Sequence, residues 1–251
     1  MLPYIFGKID TYYVLWSAAL VLMYMWTARR SVRKYGMTRE DASEVIWWVF
    51  FGALAGASLG GYAEHWEKYF QDPAKLLRFW ESPVSSGTGF ICGGLLGVWK
   101  LKRLGVSVDK FAEASSIPLA FTLAIGRLGC FAAGCCRGIP TDSPIGVRFP
   151  ANPSLPLWPS QLFESAAALL TGAALLAAER YRGSRAPSEG AVLFPIFLIT
   201  YGGYRFAFDF LRDGRGFFGL QTGQYTGIIA VAAGIYWLAR SIMRGRAAKI
   251  P

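Results

Sequence analysis

Seven stretches of this chain, near residues 11–28, 44–63, 88–101, 114–133, 160–178, 190–209 and 223–240, are apolar and nearly free of charge. A bilayer core about 30 Å thick takes a helix of about 20 such residues to cross. Backbone N–H and C=O groups have no water to bind there, so helices are the simplest answer to repeated apolar runs. The pattern predicts an all-α polytopic membrane protein with seven transmembrane helices. Composition agrees: 17% of residues are charged, where soluble proteins carry about 25%. The third run is short and glycine-rich, and is expected to tilt, break or enter only part way.

The net charge of +10 raises nucleic acid as a partner, but its placement argues otherwise. Each basic cluster follows an apolar run: Arg29, Arg30, Arg33, Lys34 and Arg39; Lys100, Lys102, Arg103 and Lys110; Arg180, Arg182 and Arg185; Arg240, Arg244, Arg246 and Lys249. Such alternation is a topology signal, whereas a nucleic-acid protein gathers its charge on one face. No nucleic-acid partner is expected. Threading the clusters on one side gives an odd number of crossings, with the N-terminus outside and the C-terminus cytoplasmic. The first run has its positive cluster behind it, the reverse of a cleavable signal peptide, so it reads as a retained helix. Residues 1–251 read as a single integral membrane domain.

Several features repeat inside or beside the runs. GALAGASLGG (52–61), GGLLG (93–97) and the Gly126–Gly129 pair offer small faces for close helix approach. Thr38 in KYGMTREDA is placed to cap the second helix. The loops 64–87 and 134–159 are aromatic and proline-rich and read as rigid interfacial caps, with the lone His65 in the first of them.

Charges within oil point to a site. An arginine at mid-helix costs roughly 2.5–3.5 kcal/mol on insertion scales, and both Arg127 and Arg205 fall inside apolar runs. Tyr201, Arg205 and Asp209 are spaced by four and share one helical stripe; Glu164 opens the fifth run and Arg212 lies just past the sixth. Two arginines with two carboxylates suggest an anion-binding cavity, since a guanidinium fork matches phosphate. The alternative is structural pairing, Arg205 with Asp209.

All four cysteines fall in or near these runs: Cys92, Cys130, Cys135 and Cys136. Disulfides, inert burial and an arginine-activated thiolate all remain open. The spacing lacks the CxxC pairs usual for zinc, so no metal is expected.

GRLGCFAAGCCRG (126–138) resembles the signature run of the bacterial prolipoprotein diacylglyceryl transferases. FWESPVSSGTGFICGGLLG, WPSQLFES, ITYGGYRFAFDFLRDG and GLQTGQYTG are similar to further family segments, in order along nearly the whole chain. The resemblance implies a seven-helix enzyme of the bacterial inner membrane that needs no cofactor. It moves the diacylglyceryl group of phosphatidylglycerol onto the lipobox cysteine of an exported prolipoprotein, releasing glycerol phosphate. It places Arg127 and Arg205 on the phospholipid phosphate, with Tyr201, Asp209 and Arg212 as further lipid-binding residues and Tyr12 near the reacting centre. Gly126, Gly129, Gln161 and Glu164 are additional site candidates. Departures concentrate on cysteine: Cys92 stands at a family histidine, Cys130 at an asparagine and Cys135 at a glutamate. Cys92 and Cys135 are therefore the candidate catalytic thiols, with Cys130 and Cys136 beside them. Ser58 replaces a family arginine and Trp158 a histidine. Two other readings fit: a divergent transferase with another acceptor, and a non-catalytic lipid-binding protein with structural disulfides.

Overall fold

A computed structural model describes residues 4–5, 9–64, 66–72, 85–183, 190–212 and 216–247. His65, the FWES stretch (79–82), Arg185 and Lys249 lie outside the described residues. Elements run in the order β1 (Tyr4–Ile5), β2 (Ile9–Asp10), α1 (Thr11–Tyr35), α2 (Arg39–Glu64), α3 (Trp66–Gln71), α4 (Ser86–Arg103) and α5 (Val108–Ala133). There follow β3 (Val147–Phe149), β4 (Asn152–Leu157), α6 (Ser160–Arg182), α7 (Leu193–Asp209), β5 (Gly216–Phe217), β6 (Leu220–Gln221) and α8 (Thr222–Ala247). The strands form three two-stranded antiparallel hairpins, so helices carry the architecture. The chain divides into two compact units, Ser31–Phe111 and the remainder.

Among the described residues, four helices are long and apolar enough to cross a membrane: Arg39–Glu64, Val108–Ala133, Ser160–Arg182 and Thr222–Arg244. The expected seven crossings are thus corrected on α1, α4 and α7. Helix α7 has 17 residues, about 25 Å of rise against a core of about 30 Å. Helix α4 has 18 residues but carries Lys100, Lys102 and Arg103 in its last turn. Helix α1 is long, yet Tyr12, Tyr13, Trp16, Tyr24 and Trp26 interrupt its aliphatic content, and Arg29, Arg30, Arg33 and Lys34 fill its final turns. With four such helices among the described residues, the odd number of crossings that set the N-terminus outside and the C-terminus in the cytoplasm is not supported. The expected break in the third run is absent too, because α4 is continuous and its glycines are helical.

Those glycines explain the smaller unit. Gly52, Gly56 and Gly60 of α2 meet Leu96, Cys92 and Thr88 of α4, while Gly89, Gly93 and Gly97 of α4 meet Ala57, Ala53 and Val49. The pairings run in opposite directions, so the helices are antiparallel, each offering a ridge of glycine every four residues. A Cβ on Gly93 would lie 2.9 Å from the Val49 carbonyl oxygen, so close approach requires the bare backbone. Thr38 caps α2, its Oγ1 accepting from Asp41 N at 3.0 Å.

The larger unit has a core of Ile117, Ala120, Leu175, Leu193, Phe197 and Tyr201. Pro118 lies inside α5 and supplies no N–H to the carbonyl four residues back. That carbonyl, on Ala114, instead accepts from Arg30 Nε at 2.8 Å. The same guanidinium forks onto Glu179 at 2.7 and 2.8 Å. Beside it, buried Glu113 receives the backbone N–H groups of Val192, Leu193 and Phe194 and pairs with Arg182 at 3.2 Å. Helix α7 has no side-chain cap of its own at Val192. A carboxylate from α5 therefore satisfies its orphan donors and its positive end. Helices α7 and α8 touch through Gly202 and Gly227, where either Cβ would meet the opposite carbonyl, at 2.5 and 2.7 Å.

Candidate functional site

The site lies in the larger unit and starts from the glycines around Arg127. A Cβ on Gly126 would lie 2.6 Å from the Trp16 ring, and one on Gly129 would rest 3.5 Å from the Tyr12 carbonyl oxygen. The two glycines flatten one face of α5 so that α1 packs there, which sets Tyr12 beside the end of α5. Asp10 holds the start of α1 through Tyr12 N at 2.9 Å.

Helix α6 opens with Ser160, Gln161 and Glu164, all buried. Glu164 is the hub. Its Oε2 pairs with Arg127 at 2.6 Å, and its Oε1 accepts from Arg205 at 3.1 Å with Arg212 at 3.6 Å. Asp209 bridges Arg205 at 3.1 Å and Arg212 at 3.8 Å. The structure therefore brings Arg127, Arg205, Arg212, Glu164 and Asp209 into one network, of which the Arg205–Asp209 pair is one edge. Among the described residues, three guanidinium groups meet two carboxylates, which leaves one net positive charge on these five side chains. Arg127 and Arg212 keep 17% and 18% of their side chains accessible, whereas Arg205 keeps 8% and Glu164 2%, so the first two form the approachable side. Tyr201 lies on the same α7 stripe, stacks on Phe197 and is within electrostatic reach of Arg205, Arg127, Glu164 and Asp209.

Backbone pairing sets Arg212. Gly138 bridges Arg212, Ile139 N donates to Leu211 O at 2.8 Å, and Gln221 Nε2 donates to Arg212 O at 2.7 Å. Gln224 is buried and holds Gln221 N at 2.8 Å. The sequence reading missed Gly223, where a Cβ would fall 2.5 Å from Arg205 Nη2 and even closer to Asp209. The GLQTGQYTG stretch carried the signal, but only the approach of α8 to α7 gives that glycine its meaning.

Cys130, Cys135 and Cys136 place their sulfurs within 4.8 Å of one another; Cys92 belongs to α4 in the smaller unit and packs against Gly56. All four are free thiols, which goes against the structural-disulfide reading. Gly134 and Cys136 both have left-handed φ, 71° and 55°, a conformation that is uncommon outside glycine. The chain thereby doubles back at the end of α5, and Cys135 donates from N and Sγ to the Cys130 carbonyl at 3.1 and 3.6 Å. Gln161 Nε2 donates to Cys135 O at 2.6 Å and Ser160 Oγ to Cys136 O at 2.9 Å. Hydrogen bonding by Cys130 and Cys135, with Arg212 and Arg127 adding their charge, holds the Cys136 thiol below the ordinary range. Hydrogen bonding with Cys130 and Cys136, reinforced by burial, pushes Cys135 up. Of the departures from the family pattern, Ser58 bonds back to Leu54 O at 3.1 Å and Trp158 packs on Phe163.

Several membrane-length helices, two of which carry Arg127 and Glu164 of this buried network, define an integral, multi-pass membrane protein. Its sequence matches the family described as "Prolipoprotein diacylglyceryl transferase" over residues 3–240. Relatives named phosphatidylglycerol–prolipoprotein diacylglyceryl transferase include proteins of Cupriavidus pinatubonensis, 31% identical over 89% of this chain and 84% of that one, and Geobacter sulfurreducens, 30% over 90% and 81%. A Bordetella parapertussis protein of that name is 33% identical over 90% of this chain and 88% of its own. The chain belongs to the prolipoprotein diacylglyceryl transferase family, and it is a multi-pass protein of the bacterial inner membrane.

Proposed function

We infer that this chain is a transferase that moves the diacylglyceryl group of phosphatidylglycerol onto the lipobox cysteine thiol of an exported prolipoprotein. The observation that carries the reading is the one net positive charge left on the Arg127–Arg205–Arg212–Glu164–Asp209 network. A half-buried excess charge is costly without a partner, and a phosphodiester brings the one negative charge that neutralises it. Arg127 and Arg212, the approachable pair, are the groups to grip it bidentately.

In the transfer, the carbon–oxygen bond between the diacylglyceryl carbon and phosphate breaks as a carbon–sulfur bond forms. The acceptor thiol gives up its proton to solvent, and glycerol phosphate departs with the bond electrons as a dianion. Phosphate charge grows from one toward two as that bond breaks, so the guanidinium groups hold the transition state more strongly than the bound lipid. The same positive field favours the acceptor as thiolate. Tyr12 and Gly129 border this region, and Asp209 and Glu164 keep the guanidinium groups oriented.

The test incubates purified protein with phosphatidylglycerol vesicles and a lipobox peptide, reading the mass gain of one diacylglyceryl group. Lipidation is expected in the wild type, with Arg127→Ala and Arg205→Ala each slower by about 10²–10³. Absence of lipidated peptide overturns the reading. Transfer to a different acceptor alone would favour the divergent-transferase alternative.

A further inference from the structure

We propose that Cys130, Cys135 and Cys136 form a binding site for one thiophilic d10 cation, Cu(I) or Zn(II), held by three thiolates. Geometry carries the inference. The three sulfurs already lie within 4.8 Å of one another. Metal–sulfur bonds of about 2.3 Å put sulfurs about 4 Å apart around a common ion, so small side-chain rotations close the site. Linear spacing hides this, because Cys135 and Cys136 are adjacent and residues next to each other seldom face one ion. The left-handed turns at Gly134 and Cys136 reverse the chain and bring both sulfurs back to Cys130 on the last turn of α5.

The site is also built from behind. Ser160 and Gln161, both fully buried, hold the carbonyls of Cys136 and Cys135, and the Cys130 carbonyl holds Cys135 N. These bonds fix the backbone that bears the ligands, as supporting shells do in metal sites. Access is one-sided: Cys136 is exposed and Cys130 buried, so an ion enters at Cys136. Soft sulfur ligands select Cu(I) and Zn(II) over magnesium or calcium. Three thiolates leave two net negative charges around Cu(I) or one around Zn(II). Cu(I) is complete with three sulfurs; Zn(II) takes water as a fourth ligand. Binding releases the remaining thiol protons to solvent.

The test uses the full chain in detergent, reduced and metal-free under anaerobic conditions. Cu(I) is titrated against a chromophoric Cu(I) chelator, Zn(II) against a zinc indicator, and Cd(II) serves as an optical probe of sulfur-to-metal charge transfer. One equivalent of Cu(I) or Zn(II) is expected, with Cys130→Ser, Cys135→Ser and Cys136→Ser each weakening it at least tenfold and Cys92→Ser leaving it unchanged. Protection of the wild-type Cys136 from alkylation by one equivalent of metal is a second readout that needs no variant to fold. Binding no tighter than in Cys136→Ser, equal loss in Cys92→Ser, or alkylation unaffected by metal would overturn the proposal. None of these readouts depends on lipid transfer, so this inference and the proposed activity fail separately.

Discussion

Replacing Glu164 by glutamine removes one of two carboxylates that hold three guanidinium groups. The network then carries two positive charges where it had one, and the pairs at 2.6 and 3.1 Å to Arg127 and Arg205 lose their ionic character. Breaking a buried ion pair by removing one charge costs about 3–5 kcal/mol. The retained amide oxygen still accepts one hydrogen bond, worth about 1 kcal/mol, so a loss of about 2–4 kcal/mol is expected. At about 2–4 °C per kcal/mol for a chain of this size, Tm in neutral detergent falls by roughly 4–16 °C. Phosphatidylglycerol, if it docks on Arg127 and Arg212, supplies the missing negative charge, so it should raise Tm more in Glu164→Gln than in the wild type. Phosphatidylcholine, whose headgroup carries no net charge, should not. Scanning calorimetry in mixed micelles of each lipid reads both effects. Equal Tm values in neutral detergent, or a phosphatidylglycerol response no larger than the wild type's, would refute the charge reasoning.

Gly223→Ala places a methyl group against Arg205 Nη2 and Asp209; lipid transfer is expected to drop by at least tenfold with helix content retained by circular dichroism, and unchanged transfer would count against the network. Glu113→Ala leaves three N–H groups at the start of α7 and the Arg182 guanidinium without their acceptor. A loss of about 3 kcal/mol or more is expected from three N–H groups left unsatisfied at about 1–3 kcal/mol each, read by thermal unfolding, and a change under 1 kcal/mol would show that water replaces the cap. Arg30→Ala should destabilise the wild type more than Pro118→Ala, because in that variant residue 118 supplies the N–H that Ala114 O lacks; a double-mutant cycle with no coupling would separate Arg30 from that carbonyl.

Much of the candidate site was readable from residue type. Charges inside apolar runs singled out Arg127 and Arg205, and the spacing of four put Asp209 on the stripe of Arg205. Two points were hidden. The role of Glu164 as acceptor for three arginines depends on α5, α6 and α7 meeting, although Arg127 and Glu164 are 37 positions apart in the sequence. The thiol trio depends on two left-handed residues after α5, and spacing rules assume ligands on regular elements. Tyr201, chosen by its stripe, stacks on Phe197 and also lies within electrostatic reach of Arg205, Arg127, Glu164 and Asp209, so one side chain joins the core to the network.

Sequence alone determined that this chain lives in a membrane, because apolar content and the rhythm of basic clusters are properties of composition and order. It also marked 52–61 and 93–97 as small faces for close helix approach, but that these two faces meet each other is seen only in the structure. Tertiary structure decided how many helices have the length and apolarity to cross, because helix ends depend on caps and neighbours rather than on where an apolar run fades. It also decided which charges meet. A hydrogen-bonded ion pair needs its partners within about 4 Å, and distances between helices remote in sequence are set only when they pack.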